Sequence, residues 1–297
     1  GEEVVSTKGK IKSWEKSYVA KNKTLDKETP LVVLINSSSA SASEIVSGSI
    51  QDLDRGVIIG QRSYGKGLVQ QTRTLSYNSQ LKLTVAKYYI PSGRCIQALD
   101  YSNRNEDGSV GAIADSLRTV FKTRNGREVF DGGGISPDIH IKKASVSNIS
   151  LSLFTEHLFF DYATDFRFKN ENIGEDFVFS NIEYENFIKY LSDKKYSYKT
   201  ETEEALENLK KEAKNENYFE SLAKEYELLS IKLAKNKDND LLANRDEIIE
   251  ILSGEIMSRY YYQKGRIRSA LNFDLEVNEA VSVLKDRRRY NIILANE

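Results

Sequence analysis

Several residue types that commonly build structural and catalytic sites are scarce in this chain of 297 residues. Its one cysteine, Cys95, excludes an intramolecular disulfide and a cysteine-rich metal site. His140 and His157 are its only histidines, so the sequence gives little support for a histidine-based metal site or a Ser-His-Asp triad. We expect both histidines to be surface or capping residues.

Long apolar runs and an excess of one charge are also missing. No run approaches the roughly 18 apolar residues that a membrane-spanning helix needs, so we expect no membrane span in this chain. The formal net charge is −1, and composition therefore gives no argument for binding nucleic acid or an anionic membrane.

The composition changes near residue 145. Basic residues outnumber acidic ones before this point, acidic residues outnumber basic ones after it, and no proline follows Pro137. A chain of this length can form two domains. We therefore predict one domain over residues 1–145 and a second over residues 146–297.

The first part of the chain reads as strands and turns. Its β-branched or alternating apolar runs are "PLVVLIN" (30–36), "GVIIG" (56–60), "GLVQQTRTL" (67–75) and "QLKLTVAKYYI" (80–90). A helical pattern over residues 43–53 interrupts them. These elements predict an α/β fold for the first domain.

The second part reads as helices. Leu, Glu, Lys and Asn become frequent, and a threonine followed three residues later by glutamate in "TETEEALENLKKEA" is a plausible capping box. The predicted helices are 148–166, 182–193, 200–213, 216–235, 243–263 and 275–287. The sequence therefore predicts an all-α helical domain appended to the α/β domain.

The stretch "NSSSASASEIVSG" (36–48) follows an apolar strand and leads into a helix. A strand, a tight turn of small residues and a helix commonly hold a nucleophile. The residues alone do not say which of the serines would be active.

Lys66, in "GQRSYGKGLVQ", fits three different motifs. A phosphate-binding loop G-x-x-x-x-G-K requires Ser or Thr next, where Gly67 stands, and a helix, where a strand is predicted. An S-x-x-K motif beginning at Ser63 requires a helix, which the neighbouring glycines disfavour, and its companion K-T-G is missing. The phosphate-binding loop is rejected, and the S-x-x-K motif is disfavoured.

The third interpretation pairs Lys66 with a serine of residues 36–48. A neutral lysine in a largely apolar pocket can take the proton of a serine hydroxyl. Gln70 lies four residues further on, and an even spacing on a strand puts two side chains on one face. The Gln70 carbonyl would then orient the lysine amine.

Four segments carry a resemblance to a known family: "NSSSASASEIVSGSIQD", "RGVIIGQRSYGKGLVQQ", "KYYIPSGRCIQ" and "GREVFDGGGISPDI". Residues 1–142 resemble the tail-specific or C-terminal processing proteases, serine peptidases of family S41. The resemblance implies that Ser41 is the nucleophile, Lys66 its base and Gln70 the third member. It also implies that the Ala42 amide lies in the oxyanion hole, and that Ser39 and Ser43 cap the helix.

The resemblance implies a partial α/β core of the ClpP/crotonase type and a Ser/Lys endopeptidase that cuts proteins near their C-termini. No metal or organic cofactor would be needed, the partners would be polypeptide substrates, and a homo-oligomer is compatible with this reading. The resemblance also implies action in the bacterial periplasm or cell envelope. Family members carry a PDZ domain and an earlier glycine pair that this sequence does not contain, so a fragment of low activity is expected. The alternative is a non-catalytic interaction or scaffold module that uses the helical domain.

Overall fold

The computed structural model describes residues 1–143 and 145–295. The strands are β1 Glu3–Lys8, β2 Lys16–Val19, β3 Val32–Ile35, β4 Val57–Gly60, β5 Leu68–Thr74, β6 Gln80–Tyr89, β7 Leu99–Arg104, β8 Val110–Ala112, β9 Val120–Lys122, β10 Glu128–Phe130 and β11 Ile139–His140. The helices are α1 Ala42–Asp52, α2 Asn148–Thr155, α3 Leu158–Lys169, α4 Asn181–Asp193, α5 Glu201–Asn215, α6 Phe219–Asp238, α7 Asp240–Ala243, α8 Arg245–Ala270, α9 Leu275–Lys285 and α10 Arg287–Ala295. The chain therefore combines β-sheets, interrupted by a helix, with a helical region that follows them, as predicted.

The chain divides into two compact units. One unit comprises Gly1–Lys143 and Leu275–Glu297, and the other comprises Ala144–Asp274. The predicted boundary at residue 145 lies next to the first observed one. The structure nevertheless differs from the predicted second domain of residues 146–297, because α9 and α10 belong to the first unit.

A parallel sheet of β3, β4 and β11 forms the centre of the first unit, with the strand order β11-β4-β3. Helix α1 connects β3 to β4, which completes a βαβ unit. Strand β4 is buried along its whole length, and a parallel strand covered on both faces is expected to be a continuous apolar run.

The two faces of β4 pack against different parts of the unit. Ile58 joins a buried cluster with Ile35, Ile90, Ile96 and Ile135. On the opposite face, Val57 and Ile59 pack with Ala280 and Val283 of α9 and Tyr290 of α10. The apolar faces of α9 and α10 therefore complete the first unit's core, which explains why they are not part of the helical unit.

A second sheet of the first unit is antiparallel, with the strand order β2-β1-β6-β5. The β5–β6 register is regular except for an irregularity between Val69 and Gln70. Strand β1 is joined to α1 by Ser49, whose hydroxyl donates a 2.7 Å hydrogen bond to the Val4 carbonyl. Helix α1 is thereby attached to both sheets.

The second unit contains α2 to α8, and residues of α2, α3, α4 and α8 form its buried apolar core. Phe159 of α3, Phe187 of α4 and Leu252 of α8 are among its fully buried side chains. The predicted helix over residues 148–166 is divided in two because His157 has a left-handed backbone with φ 58°. None of the described helices is both long and apolar enough to cross a membrane.

Candidate active site

Ser41 lies at the turn between β3 and α1. Asn36 closes this turn, because its side-chain oxygen accepts a 2.9 Å hydrogen bond from the Ser38 amide. Ser41 is the N-cap of α1, with φ 59° and ψ −114°, which lies outside the left-handed helical region. Such strained non-glycine backbones cluster at functional sites, so this geometry supports a special role for Ser41.

Glu44, in the first turn of α1, is completely buried. Its Oε2 accepts hydrogen bonds from the backbone amides of Ser41 and Lys66, both 2.8 Å long. Its Oε1 accepts from the Gly65 amide at 2.6 Å and from the Ser63 hydroxyl at 2.5 Å. One carboxylate therefore joins the turn of residues 36–41, here called the serine turn, to residues 63–67, here called the lysine loop.

The charge of Glu44 is balanced by hydrogen-bond donors. Across residues 1–143 and 145–295, no Lys, Arg or His side chain forms an ion pair with Glu44. A buried carboxylate is tolerated when donors satisfy its oxygens, and the first turn of a helix favours negative charge. The four donors and the position of Glu44 meet both conditions.

The lysine loop is also held from its other side. The Gly67 amide donates to Gln97 Oε1 at 2.9 Å, and the Ala98 amide donates to the Gly65 carbonyl at 3.0 Å. Gly65 has φ +86°, and an added Cβ would collide with the Ala98 side chain. Glycine is therefore required at this position by both its backbone angle and its close contact.

The glycine-rich segment 131–134 packs beside Ser63. The Ile135 amide donates to the Ser63 hydroxyl at 2.7 Å, while the Ser63 amide donates to the Ile135 carbonyl at 3.0 Å. Gly134 has φ +71°, and an added Cβ would lie 2.7 Å from Ser63 Oγ. Gly132 also has positive φ, at 69°, so two glycines of this segment adopt a backbone conformation that glycine favours. Tyr64 completes the attachment, since its amide donates to the Ser39 carbonyl at 2.9 Å.

The Lys66 side chain is exposed, and so is that of Gln70. The described residues therefore do not form the apolar pocket expected around a lysine base. Lys66 precedes β5, and the register irregularity lies between Val69 and Gln70. The argument that even spacing on a strand aligns Lys66 with Gln70 therefore does not hold. Within the described part of the chain, no hydrogen bond joins Lys66 Nζ to Ser41 Oγ or to Gln70.

Ala42 is the first residue of α1, and it is exposed. Its amide has no acceptor among the described residues, as is usual for the first amides of a helix. Ser39 and Ser43 do not cap α1, because Ser41 occupies the N-cap position. Ser39 instead accepts a 3.0 Å hydrogen bond from the Asn36 amide within the turn.

Sequence reasoning did not single out Glu44 or Gln97, and it considered Ser63 only as the first residue of an S-x-x-K motif. A signal for Glu44 was available, because serine followed three residues later by glutamate is the capping-box spacing at a helix start. Nothing comparable marks Ser63 or Gln97, whose partners lie 19 and 30 residues away in the chain.

Two family descriptions match this chain. Residues 1–101 match "Peptidase family S41", and residues 149–284 match "Probable PDZ-protease, C-terminal helical domain". The first match contains the serine turn and the lysine loop. Residues 1–101 are therefore similar to peptidase family S41, and residues 149–284 are similar to a helical domain of the second description.

Curated relatives carry corresponding names. A carboxy-terminal-processing protease of Bartonella bacilliformis is 50% identical over 97 residues, which cover 33% of this chain and 22% of that protein. A chloroplastic C-terminal processing peptidase of Tetradesmus obliquus is 45% identical over 85 residues, 29% of this chain and 18% of that protein. The matched segments thus span about a fifth of these relatives. A solved structure of a photosystem II D1 C-terminal processing protease aligns with 30% identity and a TM-score of 0.33, over 48% of this chain and 28% of that one.

Proposed function

We propose that this chain provides the nucleophile and the base of a serine endopeptidase that cleaves polypeptides near their C-termini. Ser41 attacks the peptide carbonyl, and Lys66 takes the hydroxyl proton and returns it to the leaving amine. Gln70 orients Lys66. The Ala42 amide donates a hydrogen bond to the oxyanion.

The observation that carries this proposal is the shared attachment of Ser41 and Lys66 to Glu44 Oε2. Both hydrogen bonds are 2.8 Å long, so the two backbone nitrogens lie within twice that distance of each other. The exposed lysine side chain has four rotatable bonds, so its amine can turn towards the Ser41 hydroxyl from this shared attachment. A bound polypeptide would cover the exposed amine and remove water from around it, as a lysine base requires.

The N-terminal end of α1 suits the charge that develops in this reaction. The Ala42 amide is free of an acceptor within the described residues, and it lies directly after the nucleophile. The positive end of the α1 dipole is at the same place. Both features favour a negatively charged oxygen next to Ser41.

The names of the relatives support polypeptide substrates and cleavage near the C-terminus. They favour an enzyme over the scaffold alternative, and we extend the proposal to action in a bacterial periplasm or cell envelope. Self-association of the protein is compatible with this proposal, which does not depend on it.

The test is a comparison of Ser41→Ala with Ser39→Ala and Ser43→Ala. Labelling by a fluorophosphonate probe and hydrolysis of a peptide substrate would be measured for each variant. We expect Ser41→Ala to lose labelling and at least about 10³-fold in rate, while the other two keep both. Full activity or undiminished labelling in Ser41→Ala would exclude Ser41 as the nucleophile.

A further inference from the structure

Two arginines of the first unit meet over Gly133. A Cβ added to this glycine would lie 2.8 Å from Arg62 Nη1 and 2.8 Å from Arg118 Cζ. The two guanidinium groups therefore lie close to each other, in space that a larger residue at Gly133 would occupy. Two like charges held together in this way repel each other.

The two guanidinium groups have few acceptors. Arg118 forms a 2.7 Å ion pair with Asp115, but the Asp115 side chain is 86% exposed, and its Arg118 partner is only 13% exposed. The Nε of Arg118 is buried without a partner among the described residues. Arg62 has neither a hydrogen bond nor an ion pair in the described part of the chain.

The electrostatics of the pair favour an added anion. Partial burial and the charge of Arg118 lower the pKa of the Arg62 guanidinium, while Asp115 acts in the opposite direction. The exposed Asp115 carboxylate is thus the one acidic group that acts on both arginines in these interactions. Ion pairs with exposed carboxylates contribute little to stability. A second carboxylate would reduce the repulsion, and the planar guanidinium group is well suited to bind it through two parallel hydrogen bonds.

The arginine pair lies next to the residues that hold Glu44. Arg62 precedes Ser63, whose hydroxyl donates to Glu44 Oε1. Gly133 precedes Gly134, and a Cβ on Gly134 would lie 3.1 Å from the same Glu44 oxygen. Arg62 and Gly133 are therefore each next in sequence to a residue that contacts Glu44 or packs beside it.

We propose that Arg62 and Arg118 form a binding site for a carboxylate group of a polypeptide. This group is either the C-terminal carboxylate or an acidic side chain, and its assignment to the substrate rests on the proposed function. The site does not take part in bond cleavage. It would favour chains that present a negative charge close to the cleaved bond.

The experiment measures binding in the Ser41→Ala background, which removes turnover. The probes are a short fluorescein-labelled alanine-rich peptide with a free C-terminal carboxylate, its C-terminal amide, and the amide with one internal glutamate. With both arginines present, we expect an acidic peptide to bind roughly tenfold more tightly than the neutral amide. Arg62→Gln should remove this difference, and Arg62→Lys should retain part of it.

Arg124→Gln is the matched control, because Arg124 is an exposed arginine of the same unit that pairs with Glu2. It should leave the affinity ratio unchanged. Preference for the free acid alone would identify the C-terminal carboxylate, and equal preference for the internal glutamate would identify a side chain. Absence of binding, equal affinity for all three peptides, or an unchanged ratio in Arg62→Gln would overturn the proposal.

A separate measurement distinguishes this site from the proposed function. Fluorophosphonate labelling of Ser41, with wild-type serine, does not require the carboxylate site, so Arg62→Gln should still be labelled. If the protein with both arginines is not labelled at Ser41 but still binds acidic peptides more tightly than the neutral amide, the protease function is rejected and the carboxylate site is retained. Arg118→Gln is checked for folding by circular dichroism. If it does not fold, the variants of the exposed Arg62 alone test the proposal.

Discussion

Ser41 and Lys66 donate their backbone amides to the same carboxylate oxygen, although twenty-five residues separate them in the sequence. The acceptor, Glu44, is fully buried and takes two further hydrogen bonds through its other oxygen. The backbone of the candidate site is therefore fixed by one side chain, while the exposed Lys66 amine remains able to move. Replacing Glu44 should affect stability and activity together.

Glu44→Gln should destabilise the first unit and reduce peptide hydrolysis. The substituted amide keeps one acceptor oxygen, but its NH2 group would face two donors that have lost their acceptor. Each buried unsatisfied donor costs about 1–3 kcal/mol, so with two such donors the free energy of unfolding should fall by roughly 2–6 kcal/mol. Urea unfolding followed by the fluorescence of Trp14, the only tryptophan, reports on this unit.

Glu128→Gln is the control for this prediction, since Glu128 is exposed on β10. Its free energy of unfolding should change by less than about 0.5 kcal/mol. If Glu44→Gln were as stable as this control, the hydrogen-bond network around Glu44 would not hold the site together.

The elements around Ser41 could be predicted because their signals are local. The apolar runs 30–36 and 56–60 enclose β3 and β4, and the helical pattern 43–53 differs from α1 by one residue at each end. The composition change near residue 145 likewise lies beside an observed boundary. Chain pattern and composition are sufficient for features of this kind.

Other features depend on contacts between distant segments. Periodicity predicted a helix over 275–287, but it could not show that its apolar face covers Val57 and Ile59 of β4. The break at His157 depends on one left-handed residue, which apolar spacing does not register. The four donors to Glu44 come from two separate segments, and no spacing rule connects them.

Lys66→Arg should be as damaging to peptide hydrolysis as Lys66→Ala. Arginine keeps the positive charge, but it stays protonated in proteins and cannot accept the Ser41 proton. Single-turnover cleavage of a peptide would be compared for the two variants and for Lys82→Arg, an exposed lysine of β6. Hydrolysis by Lys66→Arg at nearly the unmodified rate would mean that Lys66 contributes only charge.

Asp52→Asn should strongly destabilise the first unit. Asp52 and Arg94 form a 2.8 Å ion pair whose side chains are 0% and 1% exposed, and Asp52 also accepts the Ser92 amide at 2.9 Å. Removing one partner leaves a buried charge uncompensated, which costs about 3–5 kcal/mol. Burial already lowers the pKa of the Arg94 guanidinium, against the effect of Asp52.

The exposed pair of Arg124 and Glu2 offers a matched comparison, since the two side chains are 51% and 56% exposed. Glu2→Gln should change the free energy of unfolding by no more than about 1 kcal/mol. Trp14 fluorescence during urea unfolding would measure both variants. Similar decreases in the free energy of unfolding for Asp52→Asn and Glu2→Gln would show that burial does not determine how much these ion pairs stabilise the unit.

Tyr162 should make the helical unit sensitive to alkaline pH. Its hydroxyl donates to the Glu183 carbonyl at 3.1 Å, and its ring packs edge-on against Phe187. Burial, followed by the charge of Glu183, raises the pKa of Tyr162 to about 12. An unfolded tyrosine releases its proton near pH 10, so deprotonation favours the unfolded state from there. The stabilisation is complete below about pH 10 and is lost as the pH rises to about 12.

Tyr162→Phe should therefore be less stable than the unmodified protein near neutral pH, since it lacks one hydrogen bond, but its stability should fall less between about pH 10 and about pH 12. Thermal unfolding followed by the helical circular dichroism signal would be recorded across this range. Tyr218→Phe, at a position where the side chain is 62% exposed, should reproduce the unmodified pH dependence. The raised pKa of Tyr184, also about 12, predicts that some alkaline sensitivity persists in Tyr162→Phe. An identical pH dependence in Tyr162→Phe and the unmodified protein would show that this hydroxyl does not couple folding to proton release.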